Sequence, residues 1–186
     1  RIDKAVGAEL PPLRLDKARF ATRVEPLPEA QWGPQGMDRV AFEVATNPGQ
    51  APGPINKIAS GGELSRFMLA VKVVLSQVSP VPTLVFDEVD SGVGGATADA
   101  VGERLARLGD GLQVLVVTHS PQVAARGGQH LRVEKRAGRD ATTTTVVPLG
   151  DGERREEIAR MLSGAEITDE ARAAANRLMT APLSAR

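Results

Sequence analysis

The chain has 186 residues, with 23 Lys plus Arg balanced by 23 Asp plus Glu, two His, one Trp and neither Cys nor Tyr. At roughly 100–200 residues per domain this is one domain or one lobe of a larger one, and a content of 41% apolar and 25% charged residues supplies a core and excludes whole-chain disorder. The zero net charge argues against a strongly basic nucleic-acid arm, the lack of Cys excludes disulfides, thiolate nucleophiles and Cys-based zinc, and no apolar run approaches the ~20 residues of a membrane span.

No signal peptide is visible, and a reduced, cytoplasmic setting fits the composition. The chain opens on Arg1 rather than Met, which reads as a processed protein or a fragment. Ile2, Val6, Leu10 and Leu13 recur at steps of four and three. They predict the end of an amphipathic helix broken by Pro11-Pro12, either a stump of a longer helical arm or a short packing helix. Residues 1–13 are assigned to this stem and 14–186 to the body of the lobe.

Phe20, Thr22 and Val24, then Val40, Phe42 and Val44, alternate with polar or small neighbours and predict two half-buried strands paired antiparallel. The stretch between them, 26–37, is rich in Pro and Gly, and residues 47–56 read as a loop. A helix begins near Gly62, with Leu64, Phe67, Met68, Val71, Val74, Leu75 and Val78 on its inward side, and stops at Pro80 and Pro82. Residues 83–86 form a short apolar run that reads as a fully buried strand ending in Asp87-Glu88. A Gly-rich turn at 92–95 leads into a helix with Ala98, Val101, Leu105 and Leu108 inward, and residues 112–118 make a second buried strand that stops at His119.

A strand, a helix and a strand at this spacing define a parallel pair, so the fold class is α/β with antiparallel additions. Residues 130–148 read as a hairpin turning at Ala137-Gly138-Arg139-Asp140, and two helices close the chain at about 152–163 and 168–180, the second capped by Thr168. His130 alternates with Leu131 and Val133 and is expected to be exposed, with no role.

Three places carry chemistry. Ser60-Gly61-Gly62-Glu63 precedes the strong helix. As a capping box, Ser60 caps the helix and Glu63 reaches back to it. That does not account for two consecutive glycines, which belong where a ligand or another backbone comes close, and we favour phosphate contact at a positive helix end. Asp87 and Glu88 close an apolar strand at the sheet edge where open α/β folds bind ligands. Neighbouring side chains of a strand face opposite ways, so Asp87 is suited to hold Mg²⁺ and Glu88 to orient or deprotonate a water. His119 ends the next parallel strand at the same edge, within reach of the same crevice.

In this order and spacing the three places resemble the signature loop, Walker B strand and switch histidine of an ABC-type ATPase head. The wording is narrower: Ile58–Arg66, Phe86–Gly95 and Val117–Ala124 are similar to the RecN family of SMC-like proteins of bacterial DNA double-strand-break repair, as is Thr46-Asn47-Pro48-Gly49-Gln50. The resemblance covers residues 17–180 and implies the C-terminal lobe of an ABC/SMC-type P-loop head. It implies that ATP lies between two heads, that Ser60, Gly61 and Gly62, with Glu63 behind them, close over the γ-phosphate held by the other head, and that Asp87 serves Mg²⁺. It assigns Glu88 as catalytic base, His119 as the switch residue and 89–95 as the loop linking the two sites.

The chain has Gly94 where many ABC proteins carry Asp, with Asp90 as a substitute, and Ala59 where many carry Leu. It contains no Gly-x-x-x-x-Gly-Lys-Ser/Thr, the Walker A motif. The implied partners are therefore an N-terminal Walker A half of the same protein, a second head in a homodimer, and DNA by resemblance alone, with no membrane; the implied setting is cytoplasmic, on the nucleoid. Arg132, Lys135, Arg136 and Arg139 cluster on the hairpin and are favoured as a solvated face over a phosphate contact. The competing reading is a non-catalytic interaction module that completes a partner lobe. A hydrolase built on Ser120, His119 and Asp87 is weak, because no Gly-x-Ser-x-Gly occurs, and a transporter subunit fits the Asp-Glu-Val-Asp wording poorly.

Overall fold

The structure, a computed structural model, describes residues 1–58, 61–78, 81–138, 141–164 and 166–183. Ser60, the first residue of the expected signature, and Arg139 of the basic cluster lie outside the described residues, as do Ala59 and Pro80. The chain divides into two compact units, one made of Arg1–Pro82 with Val89–Val93, the other of Thr83–Glu88 with Gly94–Arg186.

In the first unit, strands β1 (Arg19–Pro26) and β2 (Asp38–Ala45) pair antiparallel, with Phe20 opposite Val44, Thr22 opposite Phe42 and Val24 opposite Val40. The alternation read from the sequence is this face, and the rings of Phe20 and Phe42 lie 5.2 Å apart. Helix α1 (Ile2–Glu9) packs against β1 and buries Val6, while Leu10 and Leu13 close the turn after it. Asp3 Oδ1 accepts from the Thr22 amide at 2.9 Å and so occupies a donor on the outer edge of β1. At the far end of the hairpin, Val24 and Val40 are about 60% exposed.

The stretch read as a loop at 47–56 holds more structure than expected. Gln50 accepts from the Thr46 and Asn47 amides at 3.2 Å, a short strand β3 (Gly53–Pro54) joins β2, and one turn of helix α2 (Ile55–Ile58) follows. Helix α3 (Gly61–Leu75) buries Phe67, Leu69, Ala70 and Val71. Phe67 and Val71 were expected inward, but Met68 is exposed and Val78 lies beyond the helix, 79% exposed. The buried arc instead takes in Leu69 and Ala70, which the periodicity did not place inward.

In the second unit, β4 (Thr83–Asp87) and β5 (Gln113–Val117) pair parallel and in step, from Thr83 opposite Gln113 to Asp87 opposite Val117. Helix α4 (Gly95–Gly109) connects them and buries the expected Ala98, Val101, Leu105 and Leu108. The two strands are not fully buried as the apolar runs imply. Phe86 is buried, but Val85, Leu115 and Val117, which share the other face, are 66, 46 and 58% exposed. The packing of α4 against β5 serves one face of the pair; the other keeps its apolar side chains in solvent.

After β5 comes α5 (Pro121–Arg126), then the antiparallel hairpin β6 (Leu131–Ala137) and β7 (Thr142–Pro148), then α6 (Asp151–Ser163) and α7 (Asp169–Thr180). Thr168 caps α7 as expected, accepting from the Ala171 amide at 3.2 Å. Ile158, Ala159, Ala171, Ala175 and Ala125 form the core where α5, α6 and α7 meet. On the hairpin, Arg132 and Arg136 both bond Glu134, at 2.5 and 3.0 Å, so one carboxylate offsets one of the four charges of the expected basic cluster.

His130 departs from its expected exposure. It is half-buried and its Nδ1 is enclosed without a hydrogen-bond partner among the described residues. Burial pushes its pKa down, the Arg154 and Arg132 guanidiniums act the same way, and Glu157 opposes them. An unfolded chain therefore takes up a proton below about pH 6.5 that the folded chain refuses, so stability falls as pH drops through that point. We expect the urea midpoint of the chain to decline between about pH 7.5 and 5.5, and His130→Gln to flatten that decline; an unchanged slope in the variant would remove His130 as its source. Glu157, held low by its hydrogen bond to Arg160, contributes only at more acid pH.

Candidate nucleotide site

Parallel pairing in step brings the ends of β4 and β5 to one edge. Asp87 is the last residue of β4, opposite Val117, the last of β5. The ladder extends one residue further, because the Glu88 amide donates to the Val117 carbonyl at 3.2 Å. Glu88 then turns with φ of 49°, in the left-handed region, a conformation uncommon for a residue with a side chain and one that tends to accompany function. Asp87, Glu88 and His119 are all exposed at this edge. Asp87 thus ends β4, Glu88 sits in the turn after it, and His119 follows two residues past the end of β5.

Asp87 offers an exposed carboxylate with hard oxygen donors. That fits Mg²⁺, which keeps several waters and takes one or two protein carboxylates beside nucleotide phosphates. Among the described residues no cluster of three or more His, Cys, Asp or Glu could hold a metal alone, so the remaining donors would be phosphates, water or another segment. Ser120 is 6% exposed and its Oγ donates to Gln122 Oε1 at 3.0 Å, while its amide donates to Thr118 Oγ1. This removes Ser120 as a nucleophile and makes it the joint between β5 and α5.

The glycines at the start of α3 have different surroundings. A Cβ on Gly62 would lie 3.0 Å from the Ser91 carbonyl oxygen, whereas a Cβ on Gly61 would meet nothing within 4 Å. Close approach of a backbone therefore accounts for Gly62, and of the two only Gly61 has open space around it among the described residues. Glu63 lies in the first turn and opposes the effect of burial on the neighbouring Arg66, whose guanidinium burial makes less basic.

The loop that touches Gly62 is the one that follows Glu88. Val89 and Asp90 are 2 and 1% exposed. A buried Asp90 cannot stand in at the surface for the Asp that many ABC proteins carry where this chain has Gly94, which corrects that expectation. The sequence reading missed the contact to Ser91, since no motif records a backbone carbonyl. A groove of about 430 Å³ lies elsewhere, at the tip of the β1–β2 hairpin, lined by Glu25, Pro26, Leu27, Pro28, Gln31 and Arg39 and by none of the motif residues.

Solved structures of SMC heads share this architecture. The chain aligns over 87% of its length with 29% of the Smc head domain with coiled coil and joint from Pyrococcus yayanosii, at TM-score 0.64 and 20% identity. It also aligns over 89% of its length with 93% of a chain from a study of ATP-driven dimerization and DNA-stimulated activation of SMC ATPases, at TM-score 0.57 and 18% identity. The fold is therefore that of the C-terminal lobe of an ABC/SMC-type head.

Among curated proteins, DNA repair protein RecN of Rickettsia bellii is 44% identical over 99% of this chain and 33% of its own length, that of Xylella fastidiosa strain 9a5c 55% over 78% and 26%, and that of Vibrio cholerae 44% over 97% and 32%. The chain belongs to the RecN family. It spans about a third of the length of the curated relatives it matches, and no family model matches it.

The two glycines are separable by substitution. Gly62→Ala should destabilise the chain by about 1–3 kcal/mol through its clash with the Ser91 carbonyl, and Gly61→Ala should stay within ~0.5 kcal/mol. Urea unfolding of both variants checks this, and equal losses would contradict the distinction.

Proposed function

We propose that this chain is one lobe of a composite ATPase head that acts in DNA double-strand-break repair. The observation that carries the reading is the edge formed by Asp87, Glu88 and His119 at the ends of two paired parallel strands, with Glu88 held in a left-handed turn. The names of the curated relatives supply the repair context, and ATP-driven dimerization is named for a structural neighbour.

In this reading ATP lies between this head and a second copy. Asp87 would hold Mg²⁺, which when bound neutralises charge on the β- and γ-phosphates. Glu88 accepts a hydrogen bond from the attacking water and aligns it with the γ-phosphorus. His119, at the same edge, donates to the transferred group as charge builds on it. Ser60, Gly61 and Gly62 of the opposing head close over the γ-phosphate, Gly61 offering a backbone amide without a side chain in the way.

An N-terminal segment with the Walker A motif supplies the phosphate cradle that this chain lacks. The exposed Val85, Leu115 and Val117 face supports such a segment, because two strands with one bare apolar face make an incomplete sheet. Residues 1–13 are the end of the stem that leads toward it, and the working place is the cytoplasm, on the nucleoid. The same bare face also favours the second reading, an interaction module without catalysis, and Glu88 separates the two.

In the assembled protein, Glu88→Gln should lower kcat for ATP hydrolysis by ~10²–10⁴-fold while leaving ATP bound, and should lengthen the life of an ATP-bound dimer seen by size-exclusion chromatography. Hydrolysis at the unaltered rate would exclude Glu88 as the base and favour the interaction module.

A further inference from the structure

His119 is not held by its strand alone. It lies between Val117, the last residue paired in β5, and Pro121, the first residue of α5, so the seat of α5 fixes where the imidazole can go. A helix of six residues has no stability of its own in water; its neighbours must hold it.

They do so through three contacts within the second unit. First, α4 and α5 touch at Gly102. A Cβ there would lie 2.9 Å from Arg126 Cγ, 3.2 Å from the Gln122 carbonyl oxygen and 3.3 Å from Val123 Cα, so backbone meets backbone with no room for a side chain. Second, Arg154 of α6 donates to the Ala125 carbonyl at 2.8 Å, to the Gly127 carbonyl, and at 3.4 Å to that of Ala124, closing the C-terminal end of α5. Third, Arg126, the last residue of α5, reaches in three directions. Its Nε and Nη2 donate to Asp99 Oδ1 at 3.1 and 2.8 Å, its Nη2 lies 3.6 Å from Glu103 Oε1, and its Nη1 donates to the Ala181 carbonyl at 2.8 Å and the Pro182 carbonyl at 3.3 Å.

The Arg126 side chain is only 7% exposed. A cation at that depth is costly unless every donor has a place, and a planar fork with fixed directions then restricts rotation as well as translation. Asp99 stands in the first half of α4, the helix that starts directly after the loop leaving Glu88. Arg126 therefore ties the helix that follows His119 to the helix that follows Glu88.

We infer that Arg126 is a positioning residue for His119, fixing through Asp99 the placement of the imidazole at the edge it shares with Glu88. The inference rests on the ATPase reading above. Its role is geometric: Arg126 touches no substrate, and its loss would move the imidazole rather than remove it. Displacements of about 1 Å at a reacting group cost up to ~10²-fold in rate.

The test is a double-mutant cycle on the assembled ATPase, this chain together with its Walker A segment. Arg126→Lys keeps the charge but loses the fork. Asp99→Ala removes the partner at a site where the Asp side chain is 39% exposed, and serves if Arg126→Lys does not fold. Each is measured for kcat and KM with ATP, alone and combined with His119→Ala. We expect kcat to fall about tenfold or more with KM within about twofold, and no further loss once His119 is Ala. The same loss in both backgrounds, or no loss in either, overturns the inference. Wild-type kcat in His119→Ala alone would instead overturn the role given to His119, and with it this inference.

Discussion

The ladder between β4 and β5 is the interaction on which the rest depends. Because the strands run parallel and in step, their carboxyl ends stop together, and the hydrogen bond from the Glu88 amide to the Val117 carbonyl carries the alignment one residue past the strand. Asp87, Glu88 and His119 owe their common edge to that register. A slip of one residue would turn Asp87 onto the face of Phe86 and Glu88 onto the face of Asp87. The apolar side chains that drive the pairing thus also decide which face each carboxylate takes.

A second constraint lies where the chain leaves this ladder. The polypeptide passes from one compact unit into the other between Glu88 and Val89 and returns between Val93 and Gly94. The five residues between are anchored by buried Val89 and Asp90, and the Ser91 carbonyl meets Gly62 at the head of α3. The left-handed turn at Glu88 is thus covalently joined to a segment that contacts Gly62. This gives Gly62 a reason in packing, whereas nothing among the described residues crowds Gly61.

Much of this was legible in the residues. The 3.6-residue recurrence of Ala98, Val101, Leu105 and Leu108 identifies a buried helix face because that face is covered within the chain. The alternation about Phe20 and Val44 identifies a hairpin for the same reason. The runs at 83–86 and 112–118 gave the strands but not their burial, since an apolar residue reports that a surface must be covered and not which polypeptide covers it. Val85, Leu115 and Val117 are apolar, yet nothing among the described residues covers them. His130 departs from the alternation because the pattern along β6 does not extend to the residue before the strand, which is half-buried and feels the charges of Arg154 and Glu157. Arg126 and Gly102 carried no readable signal: a contact between a helix glycine and an arginine 24 residues on belongs to the fold and leaves no local pattern.

The account makes this chain one part of a catalytic site rather than the whole of it. Steady-state ATP hydrolysis by the chain alone and mixed with a Walker A-bearing segment tests that most directly, with Glu88→Gln as the control. The account predicts hydrolysis only in the mixture and its loss with Glu88→Gln. Hydrolysis by the chain alone, or binding of the two segments without any hydrolysis, would contradict it.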